Sequence, residues 1–276
     1  ANCNDGCPND PLKIAPGLCG CGHVDVLTTF YRDADNDGYG DATNFVIACT
    51  QRFGYVTNNT DCNDANAAIN PAAPEICGDL IDNDCDGLID EGFAQPTVVY
   101  VDDDFSILPG GTDPVGPGQA IGCDSFATIQ AGINAVAPNG TVIVAAGTYN
   151  EDVSVTKTVA ILGAGAGSSI VSGPIGGGGS TFQFGADGIE LAGFTITRDG
   201  NNPAQWNLAL NSAGVAIQGR TSGTVRDCVI FGNRTGIDIN NSNGIVVRNN
   251  AIDDNRTGLI LRNTTNGLTV VENSIS

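Results

Sequence analysis

The chain has 276 residues, with 31 Asp and Glu against 11 Lys and Arg, and a formal net charge of −20. That balance excludes a nucleic-acid-binding protein and repels anionic lipid surfaces. No apolar run reaches the ~18 residues that a membrane-spanning helix needs, so no membrane insertion is expected. Eight of the ten cysteines fall before residue 90, which reads as a disulfide framework in an oxidising, extracellular compartment. Methionine is absent, as expected of a mature chain whose N-terminus arose by removal of a secretory leader. His23, the single histidine, leaves little for a zinc site or a nucleophilic triad.

Charge is unevenly spread. Residues 1–95 carry 16 acidic side chains against Lys13, Arg32 and Arg52, a balance of −13, and residues 96–276 carry 15 against 8, or −7. The N-terminal third therefore calls for cations. Its first segment, 1–29, contains Cys3-Asn4-Asp5-Gly6-Cys7-Pro8-Asn9-Asp10 and Pro16-Gly17-Leu18-Cys19-Gly20-Cys21-Gly22, and is similar to the linker repeats of thrombospondin type 3 calcium wires. The similarity implies a further ion at Asp5, Asp10 and Asp25. Cys19 and Cys21 are too close to pair with each other comfortably, so each is expected to bridge back to Cys3 or Cys7.

Residues 30–95 hold two acidic loops. Asp33, Asp35, Asp37 and Asp41 occupy positions 1, 3, 5 and 9 around the Gly38 turn, and Asp82, Asp84, Asp86 and Asp90 repeat that spacing around Gly87. A hard divalent ion takes six to eight oxygens at about 2.3–2.6 Å, and alternating carboxylates on a curled loop supply them. The backbone carbonyls of Tyr39 and Leu88 would fill position 7. Position 12 is Asn44 in one loop and Phe93 in the other, so the closing bidentate Glu of an EF-hand is missing. Asp61, Asp64, Glu75 and Glu91 are the candidates to close the cages. The predicted cofactor is Ca2+, two or more ions. Phe30 through Gly92, with DADNDGYGD, DCND, INPAAPEICG and DNDCDGLIDEG, resembles the MopE-type metal-binding motif of bacterial secreted surface proteins. That resemblance implies Cys49–Cys62 and Cys77–Cys85 pairing, with metal contacts from Asp61, Asp64 and Glu75.

From about residue 96 the composition turns to Gly, Val, Ile, Thr and Asn. Ser125 is a candidate cap for a helix over about 125–137, with Phe126, Ile129, Ile133 and Val136 on one face, that would plug an open first coil. Thereafter Ala213–Arg234 superposes on Thr235–Arg256 at 22 residues, and Thr257 onward follows after one inserted residue. Within coils Val215/Ile217, Ile237/Ile239 and Leu259/Leu261 alternate. Period two inside a repeat near 22 predicts a parallel β-helix. Ile230, Ile252 and Ile275 form an inward column; Cys228, Asn250 and Asn273 form another, with the amides stacked as a ladder. Cys123 has no evident partner. Together with Tyr100-Val101-Asp102-Asp103-Asp104 and Val142 to Tyr149, residues 96–276 resemble pectate-lyase-like (NosD-type) right-handed parallel β-helices. The predicted fold class is all-β, a β-helix behind a small disulfide-rich, calcium-binding domain.

That fold hosts polysaccharide lyases and hydrolases, so acid–base clusters matter. Asp253 and Asp254 beside Arg256 form the one cluster worth naming, and a solvated turn explains it as well. Arg226/Arg248 and Arg234/Arg256 recur at equivalent positions and read as exposed stacks. Trp206, on the inserted stretch 199–212, could stack on a sugar or a partner. Sequons begin at Asn58, Asn139, Asn233, Asn240, Asn255 and Asn263. The sequence ends partway through a repeat, so either a longer β-helix or another copy is expected to cover the last coil. Three readings result: a non-catalytic, calcium-stabilised subunit of a head-to-tail filament or surface layer; an adhesin binding polysaccharide; and a polysaccharide lyase or hydrolase. The first is favoured.

Overall fold

The structure, a computed structural model, describes residues 6–112, 120–174, 179–200, 212–263 and 266–276. It divides into two units, Ala1–Phe93 and Ala94–Ser276. The expected segment 1–29 and nearly all of 30–95 lie in the first unit, where Cys19–Cys49 ties them together.

The first unit has almost no hydrocarbon interior. Among its described residues, the buried apolar side chains are Cys7, Phe30 and Ile69, while Leu12, Leu18, Phe53 and Leu80 are all more than 70% exposed. So little buried area cannot offset the entropy of ordering the chain, and covalent or metal cross-links must contribute. Its regular structure is one antiparallel sheet of β1 (Thr28–Arg32), β2 (Asp41–Ala48) and β3 (Tyr55–Val56), in the order β2-β1-β3. The register shifts between Tyr31 and Arg32 so that Arg32 faces Asp41, which makes residues 33–40 the turn of a hairpin.

The disulfides partly depart from expectation. Cys21 does bridge back to Cys7, but Cys19 reaches Cys49, and Cys62 pairs with Cys85. The Cys49–Cys62 and Cys77–Cys85 pairs implied by family resemblance therefore do not form. The cause is local: the Cys62 N–H donates to Cys85 Sγ at 3.3 Å, so the two acidic segments, not successive cysteines, lie side by side. Cys77 and Cys123 are disulfide-bonded as well.

The second unit is a stack of coils whose strands form three parallel sheets of six, five and eight strands, the last also taking in Val98–Val101 and Ser125–Phe126. Side chains of one parity point inward. Phe182, Val215 and Ile237 stack in register, as do Phe184, Ile217 and Ile239, and all six are buried. The 22-residue repeat holds through Asn240↔Arg262 and becomes 23 at Val246↔Thr269, placing the inserted residue between those pairs. Ile230 and Ile252 are fully buried and Ile275 continues their column. The amide ladder forms: Cys228 N–H donates to Asn250 Oδ1 and Asn250 N–H to Asn273 Oδ1, each at 3.0 Å. Cys228 is buried, as its ladder position predicted, and its thiol is free.

Two expectations are corrected here. The helix is shorter, Ile129–Ala135, and is capped by Thr128, whose hydroxyl accepts from Ala131 N–H. Ser125 and Phe126 instead pair as a strand with Tyr100 and Val101, because that sheet edge offers a full ladder of hydrogen bonds. Ile129 and Ile133 are fully buried on the helix and Val136 at its C-cap, whereas Phe126, expected on the same face, lies on the strand. Arg226 is in register with Arg248 but is not part of an exposed stack, because Glu190 and Asp227 hold it as ion pairs and half-bury it.

Candidate metal centre

The two acidic loops fold alike, and their hydrogen bonds show why the Asp-x-Asp-x-Asp-Gly spacing demands it. In the first, Asp33 Oδ2 accepts from Gly38 N–H, Asp35 Oδ1 from Asp37 N–H, and Asp37 Oδ1 from Tyr39 N–H. In the second, Asp82 Oδ2 accepts from Gly87, Asp84 Oδ1 from Asp86, and Asp86 Oδ1 from Leu88. Asp33, Asp35, Asp37, Asp84 and Asp86 thus each spend one oxygen curling their own backbone, while Asp82 spends both, on Asp86 and Gly87 N–H. Gly38 and Gly87 sit at φ +97° and +93°, a conformation that side chains resist. Asn36 and Cys85, both at position 4, also take positive φ.

Distant carboxylates close each cage. Asp61 N–H donates to Gly40 O, laying Asp61 against the first loop, and Asp64 Oδ1 accepts from Ala34 N–H at 2.6 Å. Glu75 clamps the second loop by accepting from Asn83, Asp84 and Asp90 N–H. The outcome is four overlapping groups, within each of which a carboxylate oxygen from every member lies within 4.8 Å of the others. They are Asp33/Asp35/Asp37, Asp35/Asp61/Asp64, Asp82/Asp84/Asp86 and Glu75/Asp84/Glu91. Asp35 belongs to both groups of the first cage and Asp84 to both of the second.

Five oxygens of these groups lack protein partners, four in the first cage and one in the second. Asp33 Oδ1, Asp35 Oδ2, Asp37 Oδ2, Asp61 Oδ2 and Glu91 Oε2 are buried without a hydrogen bond. Two carboxylates ~4.8 Å apart repel by roughly 3.5 kcal/mol at a surface-like dielectric. Burial first, then the neighbouring charges of Asp37, Asp64 and Asp33, hold Asp35 above the usual carboxylate range. Asp61 is raised by burial and then by Asp37, Asp35 and Asp64, and Glu91 by burial and then by Asp86, Glu75 and Asp84. A cation within each cage would meet the orphaned oxygens and remove the repulsion, so the residues fit a metal.

Other expected ligands are placed differently. Asp41 is drawn away by Thr43, whose N–H and hydroxyl both donate to it, and Asp90 accepts from Gly78 and Leu80 N–H. Asp10 is bound by Leu12 and Gly22 N–H, and Asp25 by Lys13 and Cys19, so both cross-link turns. Asp5 and Trp206 lie outside the described residues, as does most of the 199–212 stretch. Asp253 accepts from the Ser276 hydroxyl. The sequence reading missed the buried pair Arg198–Asp152 at 2.6 Å, in which Arg198 also donates to Pro174 O and Gly179 O. Arg198 has the inward parity of Phe194 and Ile196, and that signal could have found it.

Stacked parallel coils behind paired acidic loops define a class: a right-handed parallel β-helix protein carrying a metal-binding motif. Comparison with known families agrees. Residues 61–91 match the Cu-binding MopE family model, described as "Putative metal-binding motif", and residues 153–276 match the model for the right handed beta helix region. No curated protein matches the chain. Among solved structures, ORF18 of Geobacillus virus E2 is similar at 19% identity and TM-score 0.45, over 62% of this chain and 35% of that one. Pectin methylesterase PemA from Erwinia chrysanthemi is similar at 14% identity and TM-score 0.40, over 56% of this chain and 55% of that one. This chain thus spans about a third to a half of their lengths.

Proposed function

We propose that the protein is an extracellular structural protein whose N-terminal unit is held folded by calcium and whose β-helix acts as a non-catalytic rod. The observation that carries this reading is the presence of buried, unpartnered carboxylate oxygens, four in the first cage and Glu91 Oε2 in the second, in a unit with almost no apolar core. Although the matched motif is named for copper, the donor set favours calcium. Both cages offer carboxylates, and every described cysteine of this unit is in a disulfide. All-oxygen donors in flexible loops suit calcium far better than copper, which seeks nitrogen and sulfur. Bound calcium would supply countercharge and cross-linking; Glu75 and Asp64 orient the loops that receive it.

Leu261, Val270, Val271 and Ile275 in the last strands are 39–50% exposed, apolar surface that a further parallel coil in the same register would cover, whether from this chain or from a second copy joined head to tail. Isothermal titration of chelator-stripped protein tests the metal: calcium is expected to saturate at two or more ions per chain, and binding of copper alone sinks this reading. Electron microscopy at millimolar calcium tests assembly, with rods longer than one chain expected and dispersed single chains against it. The competing reading, an enzyme acting on acidic polysaccharide, predicts turnover that falls on replacing Asp253, Asp254 or Arg256 with Ala.

A further inference from the structure

In a unit so rich in carboxylates, an arginine within reach of one normally pairs with it. Lys13 does so with Asp25. Among the described residues, however, the Arg32 and Arg52 side chains make no hydrogen bond and no ion pair, and both are exposed. They flank one corner of the molecule, because Arg32 ends β1 and pairs with Tyr55 at the start of β3, just beyond Arg52-Phe53-Gly54. Phe53 is 100% exposed there. Its position is not a frayed tip: Tyr55 N–H donates to Arg52 O, Gln51 Nε2 donates to Tyr55 O at 2.6 Å, and Asp33 N–H donates to Gly54 O at 3.0 Å. A braced turn that holds a whole phenyl ring in water forgoes one of the larger gains from burial available to any side chain.

Between these groups lies a pocket of about 270 Å³, lined by Arg32, Asp33, Asn36, Phe53, Gly54 and Tyr55 among others. Its volume is that of a single sugar ring rather than of a peptide segment. Its chemistry is tripartite. Arg32 presents a planar guanidinium fork that fits a carboxylate at two points. The Phe53 face suits the C–H face of a ring, and Asn36 offers an amide for hydroxyls. Asp33 turns its carboxylate into the metal cage, where Gly38 N–H holds it, so its charge is directed away from an anionic guest.

We propose that this pocket binds a sugar ring bearing a carboxylate, a uronate residue of an acidic polysaccharide. The idea goes beyond the structural role and stands whether or not the rods polymerise. Ligand-detected saturation-transfer NMR on the full calcium-loaded chain, with D-glucuronate and D-glucose as paired probes, tests it. Glucuronate ring protons are expected to be saturated and glucose protons not. Affinity for glucuronate is expected to fall about tenfold in Arg32→Gln and in Phe53→Ala, the loss of one charge-assisted or stacking contact. Equal signals from the two sugars, or glucuronate binding that survives both substitutions, overturn the proposal. Both side chains are exposed, so their loss leaves the fold intact, and calorimetric calcium titration of each variant reads the metal cages separately from the pocket.

Discussion

Asp35 and Asp84 each stand at the junction of two carboxylate triplets, whereas Asp41, at position 9 of its loop, is occupied by Thr43. That contrast separates ligand from scaffold. Asp35→Asn keeps the shape and removes the charge, and it is expected to weaken calcium binding in the first cage by tenfold or more, about 1.4 kcal/mol. Asp41→Asn is expected to change affinity less than about threefold, or 0.7 kcal/mol; comparable losses in the two variants would contradict the assignment. The same residues set a pH dependence. Asp35, Asp61 and Glu91 are raised above the ordinary carboxylate value in the metal-free fold, so the folded chain holds protons that the unfolded chain has released. Stability of chelated protein therefore rises as pH falls from about 7 toward about 5, approaching the unfolded carboxylate range. Calcium-loaded protein should do the reverse, because protons then compete with the ion. Thermal melts in chelator and in calcium at the two pH values check the sign.

At the scale of elements, Cys62–Cys85 is the joint between the two cages. Cys62 follows Asp61 of the first, and Cys85 lies between Asp84 and Asp86 of the second. Closing this 23-residue separation contributes about 3.5 kcal/mol by the chain-entropy estimate. The double variant Cys62→Ser/Cys85→Ser is expected to lose calcium affinity in both cages, while Cys7→Ser/Cys21→Ser, whose bridge joins no residue of either cage, leaves the binding isotherm near that of the parent. Undiminished binding by the first variant would count against the coupling. Here the limits of sequence reading are visible. Loop spacing foretold the Asp33–Asp37 and Asp82–Asp86 triplets, and elimination pointed to Asp61, Asp64, Glu75 and Glu91, because a short loop without a closing Glu needs outside carboxylates. The pairing of cysteines was not legible, since it depends on which segments lie side by side and not on separation along the chain. Likewise the coil register followed from the repeat, but the helix start did not. Ser125 and Thr128 are equally good caps locally, and a sheet edge at Tyr100–Val101 decided between them.

For the whole molecule, two kinds of stability sit in one chain. The metal groups fall within residues 33–91, and the large apolar cluster from Val99 to Ile252 lies wholly in the second unit. The coils are held by interior columns and amide ladders. The first unit, by contrast, has disulfides and acidic cages where the second has an apolar core. With free calcium 100-fold above the dissociation constant, each cage adds ~2.7 kcal/mol to folding, so two add about 5. For a unit under a hundred residues, each kcal/mol moves the midpoint by about 4–8 °C, so chelation should lower its transition by roughly 20 °C or more. The β-helix transition should move by less than about 2 °C, since among the described residues the acidic groups that could hold an ion all lie in the first unit. Scanning calorimetry resolves this directly: two transitions that separate on adding chelator are expected. A single transition that shifts as one, or neither shifting at all, would mean that the acidic cages do not carry the stability assigned to them.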